Sequence, residues 1–276
     1  MRKDTQQTIK GFLLATPSKD PRSKRGLRPW AIAFWLAVWE LTSLYIGQEI
    51  LLVSPVSVLR RLAELATGAG DPKAALDFWA SIASSFIRII GGFLLASLSG
   101  TLLAALSGAF RPIRDLFAPA MSTIKAIPVA SFIILVLIWV PSRNLAIVIS
   151  FLMVLPVVYT NVLNGIASTD RKLLEMAQVF RVPLSRRIRY IYLSQVLPFL
   201  RSGLSLSLGL CWKAGIAAEV IGIPKGSIGE KLYEAKVYLQ TADLFSWTLV
   251  IVLISVTFEK CFLALIDHLV RFVEQH

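Results

Sequence analysis

The sequence predicts an all-α integral membrane protein with about six transmembrane helices, and three observations carry that expectation. The chain is 55% hydrophobic with mean hydropathy +0.67 over 276 residues, too apolar for a soluble domain of this length. Its apolar runs are long enough, at roughly 20 residues, to cross a bilayer core. Its net charge of +12 is gathered in segments beside those runs, where the positive-inside rule and anionic headgroups both favour it.

Residues 1–28 are polar and carry eight Lys/Arg against Asp4 and Asp20, a solvated cytoplasmic arm. The apolar region after it is long and more spans follow, so it does not read as a cleaved signal. The first span runs from Trp30 to Ile46, with an extension to Val53 allowed, and Trp30, Trp35, Trp39 and Tyr45 as interface anchors. Glu40 within it is costly in lipid, so it is assigned to a helix contact or the headgroup layer. Residues 54–80 are mixed and read as an external segment with a short helix, so that 29–81 forms one first unit of span plus external segment.

The second span covers Ile82 to Phe110 and opens the transmembrane core, 82–270. Gly92, Ala96, Gly100, Ala104 and Gly108 recur every four residues along it, which leaves one narrow face for close helix packing. Arg88 lies near the external end, placed to snorkel. The third span, Phe117 to Val140, contains Pro119, Lys125 and Pro128. Prolines free backbone carbonyls, which membrane helices tolerate beside neighbours or a wet path. Lys125 therefore reads either as a pathway group or as a lysine snorkelling to the inner surface. A tight outer turn at Pro141–Asn144 leads to the fourth span, Leu145 to Ile166, where Asn161 and Asn164 are placed to bond across helices or to brace the loop that follows.

The fifth span, Ile191 to Leu210 and on to Ala218, is rich in Ser and Gly and suits a buried helix at a dimer or pore. Beyond it Trp212, Lys213 and Glu219 approach the outside; Glu219 reads either as part of an external gate or docking point, or as a solvated helix end. Residues 227–243 form a polar external segment, and the last span runs from Phe245 to Leu265 with a cytoplasmic tail at 271–276. Six spans with both termini inside place the basic loops 111–114 and 171–189 in the cytoplasm.

The polar stretch between the fourth and fifth spans, STDRKLLEMAQVFRVPLSRRIR (168–189), is the most informative in the chain. Ser168, Thr169 and Asp170 are alternative N-caps, Leu173, Ala177 and Phe180 share one helical face, and Pro183 ends the helix. A helix this short needs a packing partner. Glu175-Met176-Ala177, then Arg181, Ile191, Leu193 and Ser194, resembles the Glu-Ala-Ala loop of permease subunits of bacterial ATP-binding cassette (ABC) importers, with Met176 for Ala, Arg181 for Gly and Ser194 for Pro.

The resemblance runs from about Ile82 to Leu265 and is carried by GGFLLASLSGTLLAALSG (91–108), APAMSTIKAIPVAS (118–131), NVLNGIASTDRKLLEMA (161–177) and GLSLSLGLCWKAGIAAEVIG (203–222). It is most similar to the nitrate/sulfonate/taurine branch. The resemblance implies a type I importer permease fold with a cytoplasmic coupling helix at 168–184, on which Leu173, Leu174, Glu175, Met176, Ala177, Gln178, Phe180 and Arg181 engage a separate ATPase. It further implies a homodimeric pore in the bacterial inner membrane and an extracytoplasmic solute-binding protein. The solute is a small one such as nitrate, a sulfonate, taurine or a nitrogenous vitamin precursor. Lys125, Pro128, Trp212 and Glu219 are the candidate pathway residues.

Several chemistries lack their residues. No G-x-x-x-x-G-K-[ST] phosphate loop is present, so ATP belongs to the partner subunit. His268 and His276, with Cys211 and Cys261, make no zinc pattern or disulfide framework. No nucleophile elbow occurs, and no nucleic-acid-binding module accompanies the charge. The expectation is a transport subunit without catalytic residues or cofactor, in contact with lipid. The alternative is a secondary transporter or channel, which calls for internal repeats and intramembrane acid chains.

Overall fold

A computed structural model describes residues 29–275, with side chains through His268. The basic arm 1–28 lies outside the described residues. Eleven helices follow in order: α1 (Pro29–Ile46), α2 (Pro55–Thr67), α3 (Pro72–Ala109), α4 (Arg111–Ala126), α5 (Val129–Leu137), α6 (Ser142–Ala167), α7 (Arg171–Val179), α8 (Leu184–Arg187), α9 (Leu193–Gly222), α10 (Ile228–Val237) and α11 (Thr241–Gln275). Among the described residues five helices are long and apolar enough to cross a membrane, or six if the bent pair α4–α5 is one span. The chain divides into two units, Met1–Gly47 and Gln48–His276. The described part of the first is α1, an 18-residue apolar helix that stops at Ile46 rather than continuing to Val53.

In the second unit α6 packs along both α3 and α9, and these three helices make the core. Small residues set the distance. A Cβ on Gly92 would collide with the Ile147 carbonyl, and one on Gly100 would come within 3.2 Å of the Leu155 carbonyl and 3.3 Å of Val158. From the other side, a Cβ on Gly215 of α9 would sit 2.8 Å from Ser150 Oγ. Close backbone approach of this kind replaces the hydrophobic drive that helices lack in lipid. Ala96 and Ala104 are fully buried on the same face of α3, while Gly108 at its end meets Ile166 and is otherwise open. α11 runs beside α3 through aromatic pairs, Phe78 with Trp247, Phe86 with Phe258 and Phe93 with Phe262, at centroid distances of 4.8, 5.2 and 5.2 Å.

Three spans differ markedly from their sequence-based bounds, the last of them, α11, running Thr241–Gln275 rather than Phe245 to Leu265. α3 begins at Pro72, ten residues before Ile82, because Asp71 caps it through the Lys73 N–H and Pro72 occupies the first turn, where no N–H is needed. At 38 residues it is about 57 Å long, longer than a bilayer core is thick. The third span is not one straight helix. α4 and α5 meet at 107°, because Pro128 donates no N–H and holds Ile127 extended at ψ 129°. Pro119, by contrast, is accommodated inside α4.

Candidate functional site

Between α6 and α9 the chain turns out into α7. Of the three possible caps, Asp170 is the one used: its Oδ1 accepts from the Lys172 N–H at 2.9 Å. Ser168 and Thr169 instead donate back to the Gly165 carbonyl. Asp170's own N–H donates to Gln195 Oε1 at 2.9 Å, which pins the start of α7 to the first turn of α9. The helix ends in a Schellman turn, with Val182 N–H on the Ala177 carbonyl, Arg181 N–H on Gln178, and Arg181 in the left-handed region at φ 48°. Arg181 thus occupies the position at which the related motif carries Gly, and the turn explains why Gly suits it.

The faces of α7 differ from the sequence expectation at two residues, Ala177 and Leu174. Ala177, read as part of the face offered to a partner, is 2% exposed and faces the protein's own interior, with Leu174 half-buried beside it. The side chains offered outward are Met176 at 51%, Val179 at 78% and Phe180 at 75% exposure, with Leu173, Glu175 and Gln178 also exposed. Spacing alone put Leu173, Ala177 and Phe180 on one stripe. It could not tell which side of that stripe the chain itself would cover. Gln195, which has no motif signature, was not anticipated.

The candidate pathway residues do not share one surrounding. Lys125 is exposed near the end of α4 and its Nζ donates to Thr160 Oγ1 of α6 at 2.6 Å. Pro128 forms the α4–α5 bend. Trp212 is buried against Phe86 at 5.9 Å, with its indole Nε1 lacking a hydrogen-bond partner. Glu219 is 0% exposed, which excludes the solvated helix end. Its carboxylate accepts from Ser85 Oγ at 2.6 Å, from Arg88 at 3.3 Å and from the Gly229 N–H at 3.4 Å. Arg88 accordingly turns inward to this pair rather than snorkelling. Lys213, between the buried Trp212 and Ala214, lies on the exposed face of α9 shared by Ser202, Leu206 and Leu210. Asn161 bonds its own helix at the Val157 carbonyl and packs its Cβ where Gly203 leaves room, so it braces α9 rather than the loop.

Glu219 belongs to a wider lock at the other end of the core. Ile228 N–H donates to Ser85 Oγ at 2.9 Å, Lys231 pairs with Asp77 at 2.7 Å, and Arg61 pairs with Asp243 and with Glu64. Burial disfavours the Lys231 ammonium, but Asp77, Glu234 and Glu230 outweigh it and hold its pKa above the ordinary value. The hydrogen bond to Asp243 likewise raises Arg61. α10 is capped by Ser227, whose Oγ accepts from Glu230 N–H at 3.0 Å. Among the described residues no group of three or more His, Cys, Asp or Glu is placed to hold a metal, and Cys211 and Cys261 are free.

The described residues thus form a multi-span helical membrane protein with a short capped helix beside its core. Residues 92–275 match the family described as the binding-protein-dependent transport system inner membrane component, and the chain belongs to that family of ABC-importer permeases, in its nitrate/sulfonate/taurine branch. It is 31% identical over 232 residues to a putative aliphatic sulfonates transport permease protein of Escherichia coli K12, covering 83% of this chain and 84% of that one. A putative aliphatic sulfonates transport permease protein of Bacillus subtilis 168 is 24% identical, with 87% and 82% covered. The taurine transport system permease protein of E. coli K12 is 25% identical, with 80% of each chain covered. The protein is thus a multi-pass permease subunit for a small solute, and membership implies an ATPase subunit and a solute-binding protein as its partners.

Proposed function

We propose that α7 is the coupling helix of this permease, that two copies form the pathway, and that the solute is a small anion such as a sulfonate. The observation that carries the coupling assignment is the outward display of Met176, Val179 and Phe180 beside Glu175 on a helix pinned at its start and covered on one side at Ala177. An ATPase cleft would bury that face, with Leu173, Gln178 and Arg181 at its edge, while Leu174 and Ala177 hold the helix to the permease. In this reading 168–184 and both termini are cytoplasmic, 82–270 is the permease core, 29–81 is the first span with its external segment, and 1–28 is an inner basic arm. Arg111 and Arg114 at the start of α4, and the basic residues from Arg171 to Arg189, support the orientation.

The exposed face of α9 supports the dimer. A lysine facing lipid within a span is costly, so Lys213 is better placed against a second copy or a wet path. Lys125 supplies a second exposed cation, and two cations on one route suit an anion. The relatives named for sulfonates and taurine point the same way. Trp212 and Glu219 then act by packing and bracing rather than by contact with the solute.

Co-purification tests the coupling assignment. Phe180→Asp places a carboxylate in the proposed contact while leaving the permease interior untouched. The expected result is normal insertion and dimer formation with at least about tenfold weaker ATPase retention, the equivalent of roughly 1.4 kcal/mol, and loss of ATP-driven uptake. Wild-type retention by Phe180→Asp would remove α7 as the coupling site. Uptake that persists without any ATPase would favour a secondary transporter or channel.

A further inference from the structure

The helix α2, in the mixed segment before α3, carries three faces rather than two. At about 100° per residue, Val58, Leu62 and Leu65 share one side. Ser57, Arg60, Arg61 and Glu64 share a second, and Val56, Leu59 and Ala63 a third, each side about 120° from the next. The first side meets the core: Val58 is buried, and Leu62 and Leu65 pack against the cluster that holds Phe78 and Trp247. The second side is satisfied by ion pairs, Arg60 and Arg61 with Glu64, and Arg61 with Asp243. Among the described residues none covers the third side. Val56 and Leu59 are 68% and 59% exposed there, and Ala63 is exposed with them.

The level at which α2 is held identifies what covers that side. Arg61 Nη2 donates to Asp243 Oδ2 at 3.0 Å, and Ser246 Oγ lies 3.2 Å from the Val58 carbonyl. Both partners belong to the first turns of α11, a helix long and apolar enough to cross a membrane. Asp243 is the last charge in α11 before an uncharged run that reaches to Glu259. The Phe78–Trp247 contact brings α3 alongside at the same level. There Asp77 is the last charge before Arg88, which turns inward to Glu219. α2 therefore sits where both long helices pass from charged to apolar sequence, as helices do at a headgroup layer. Trp79 marks the level again: its Nε1 donates to the Ala66 carbonyl of α2 at 3.1 Å while its ring stays exposed. A Trp with its N–H satisfied and its ring uncovered suits the membrane–water interface.

We propose that α2 lies in the bilayer interface, with Val56 and Leu59 in the headgroup–acyl boundary and Arg60 toward water. A helix held by protein on one side has two sides left at a lipid surface, and α2 has one polar and one apolar side to meet them. Through Arg61 and Trp79 it then fixes the ends of α11 and α3 to the membrane surface. That this is the outer surface rests on the orientation proposed above; the interfacial position does not.

The test is spin-label accessibility. Cys261→Ser removes the exposed cysteine, and the buried Cys211 stays. Nitroxides are placed singly on Val56→Cys, Leu59→Cys and Arg60→Cys, with Leu98→Cys of α3 as the reference within a span. All four replace exposed side chains, so the fold is kept. Each full-length variant is reconstituted in vesicles of phosphatidylethanolamine and phosphatidylglycerol. Collisions with oxygen, which partitions into lipid, are compared with those of a water-soluble nickel chelate. Labels at 56 and 59 are expected to favour oxygen, as at 98, and to read about 5–10 Å into the boundary. The label at 60 should favour the nickel chelate. Nickel access at 56 and 59 equal to that at 60 would put this side in water, open to a soluble protein, and overturns the proposal. Labels at 56 and 59 that neither reagent reaches would mean that protein covers them, a second copy included, and overturn it as well.

Discussion

Two interruptions flank α9, and they are built alike locally but held in opposite ways. The stretch before it contains α7, capped by Asp170 and closed by Arg181 at φ 48°; the stretch after it contains α10, capped by Ser227 and closed by Leu239 at φ 56°. Each ends with the same Schellman bond, Val182 N–H to the Ala177 carbonyl and Gln240 N–H to the Ala235 carbonyl. Yet α10 buries Ile228, Gly229 and Ala235 and is fastened through Ser85, Glu219 and Asp77, whereas α7 buries only Ala177. Local sequence makes the helix in both places, and tertiary bonding decides which one belongs to the core. The helix fastened along its length is part of the wall, and the one pinned at its start leaves most of its surface exposed.

The sharpest way to break this contrast is at Glu219. Removing a buried charge partner leaves the other partner uncompensated, at a cost of about 3–5 kcal/mol; Arg88 keeps some exposure, so the lower end applies here. Glu219→Ala should therefore lose about 3 kcal/mol of stability and expose the 223–240 segment to protease. Glu175→Ala, on exposed α7, should change stability by less than about 0.5 kcal/mol. Thermal inactivation and limited proteolysis of the two purified variants compare them directly. Equal effects would mean that α10 is no more fastened than α7.

The contact between α3 and α6 comes next in size. Gly92→Leu pushes a side chain into the Ile147 carbonyl and Ser150, and overpacking of this kind typically costs 1–3 kcal/mol or more. The expected outcome is a fall in monodisperse protein after solubilisation. Leu98→Ile, on the 73%-exposed side of the same helix, should leave the yield unchanged. A normal yield from Gly92→Leu would mean that α3 and α6 can separate, and that the rigid core is not the reference against which α7 is loose.

How much of this was legible beforehand depends on whether a feature is local or assembled. The spans were legible because apolar length is a one-dimensional property. The motif Glu175-Met176-Ala177 with Arg181 was legible because its spacing is. The 107° bend at Pro128 was not, since Pro119 and Pro128 look alike in sequence and only the extended Ile127 separates a kinked helix from a broken one. Nor was the Glu219 lock: Ser85 and Arg88 lie more than 130 residues away, and Glu219 beside Gly222 and Pro224 looks like any helix end. Nor was the burial of Ala177 within the chain itself, because periodicity fixes a face and not its neighbour.

The smallest expected effect is also the most direct comparison of the two turns. A left-handed residue with a Cβ costs about 1–2 kcal/mol, and glycine removes that cost while returning roughly 0.5–1 kcal/mol to the unfolded chain. Arg181→Gly and Leu239→Gly should each be neutral to stabilising, by no more than about 1 kcal/mol. Their readouts should differ. At Leu239 the gain adds to an element already fastened to the core, so it belongs to global stability. At Arg181 the turn opens without unfolding the core, so the gain should show as slower hydrogen exchange at Arg181 and Val182 with the melting temperature unchanged. If Arg181→Gly instead speeds exchange there, the arginine side chain is holding the turn through a contact of its own, and α7 is anchored at both ends rather than displayed from one.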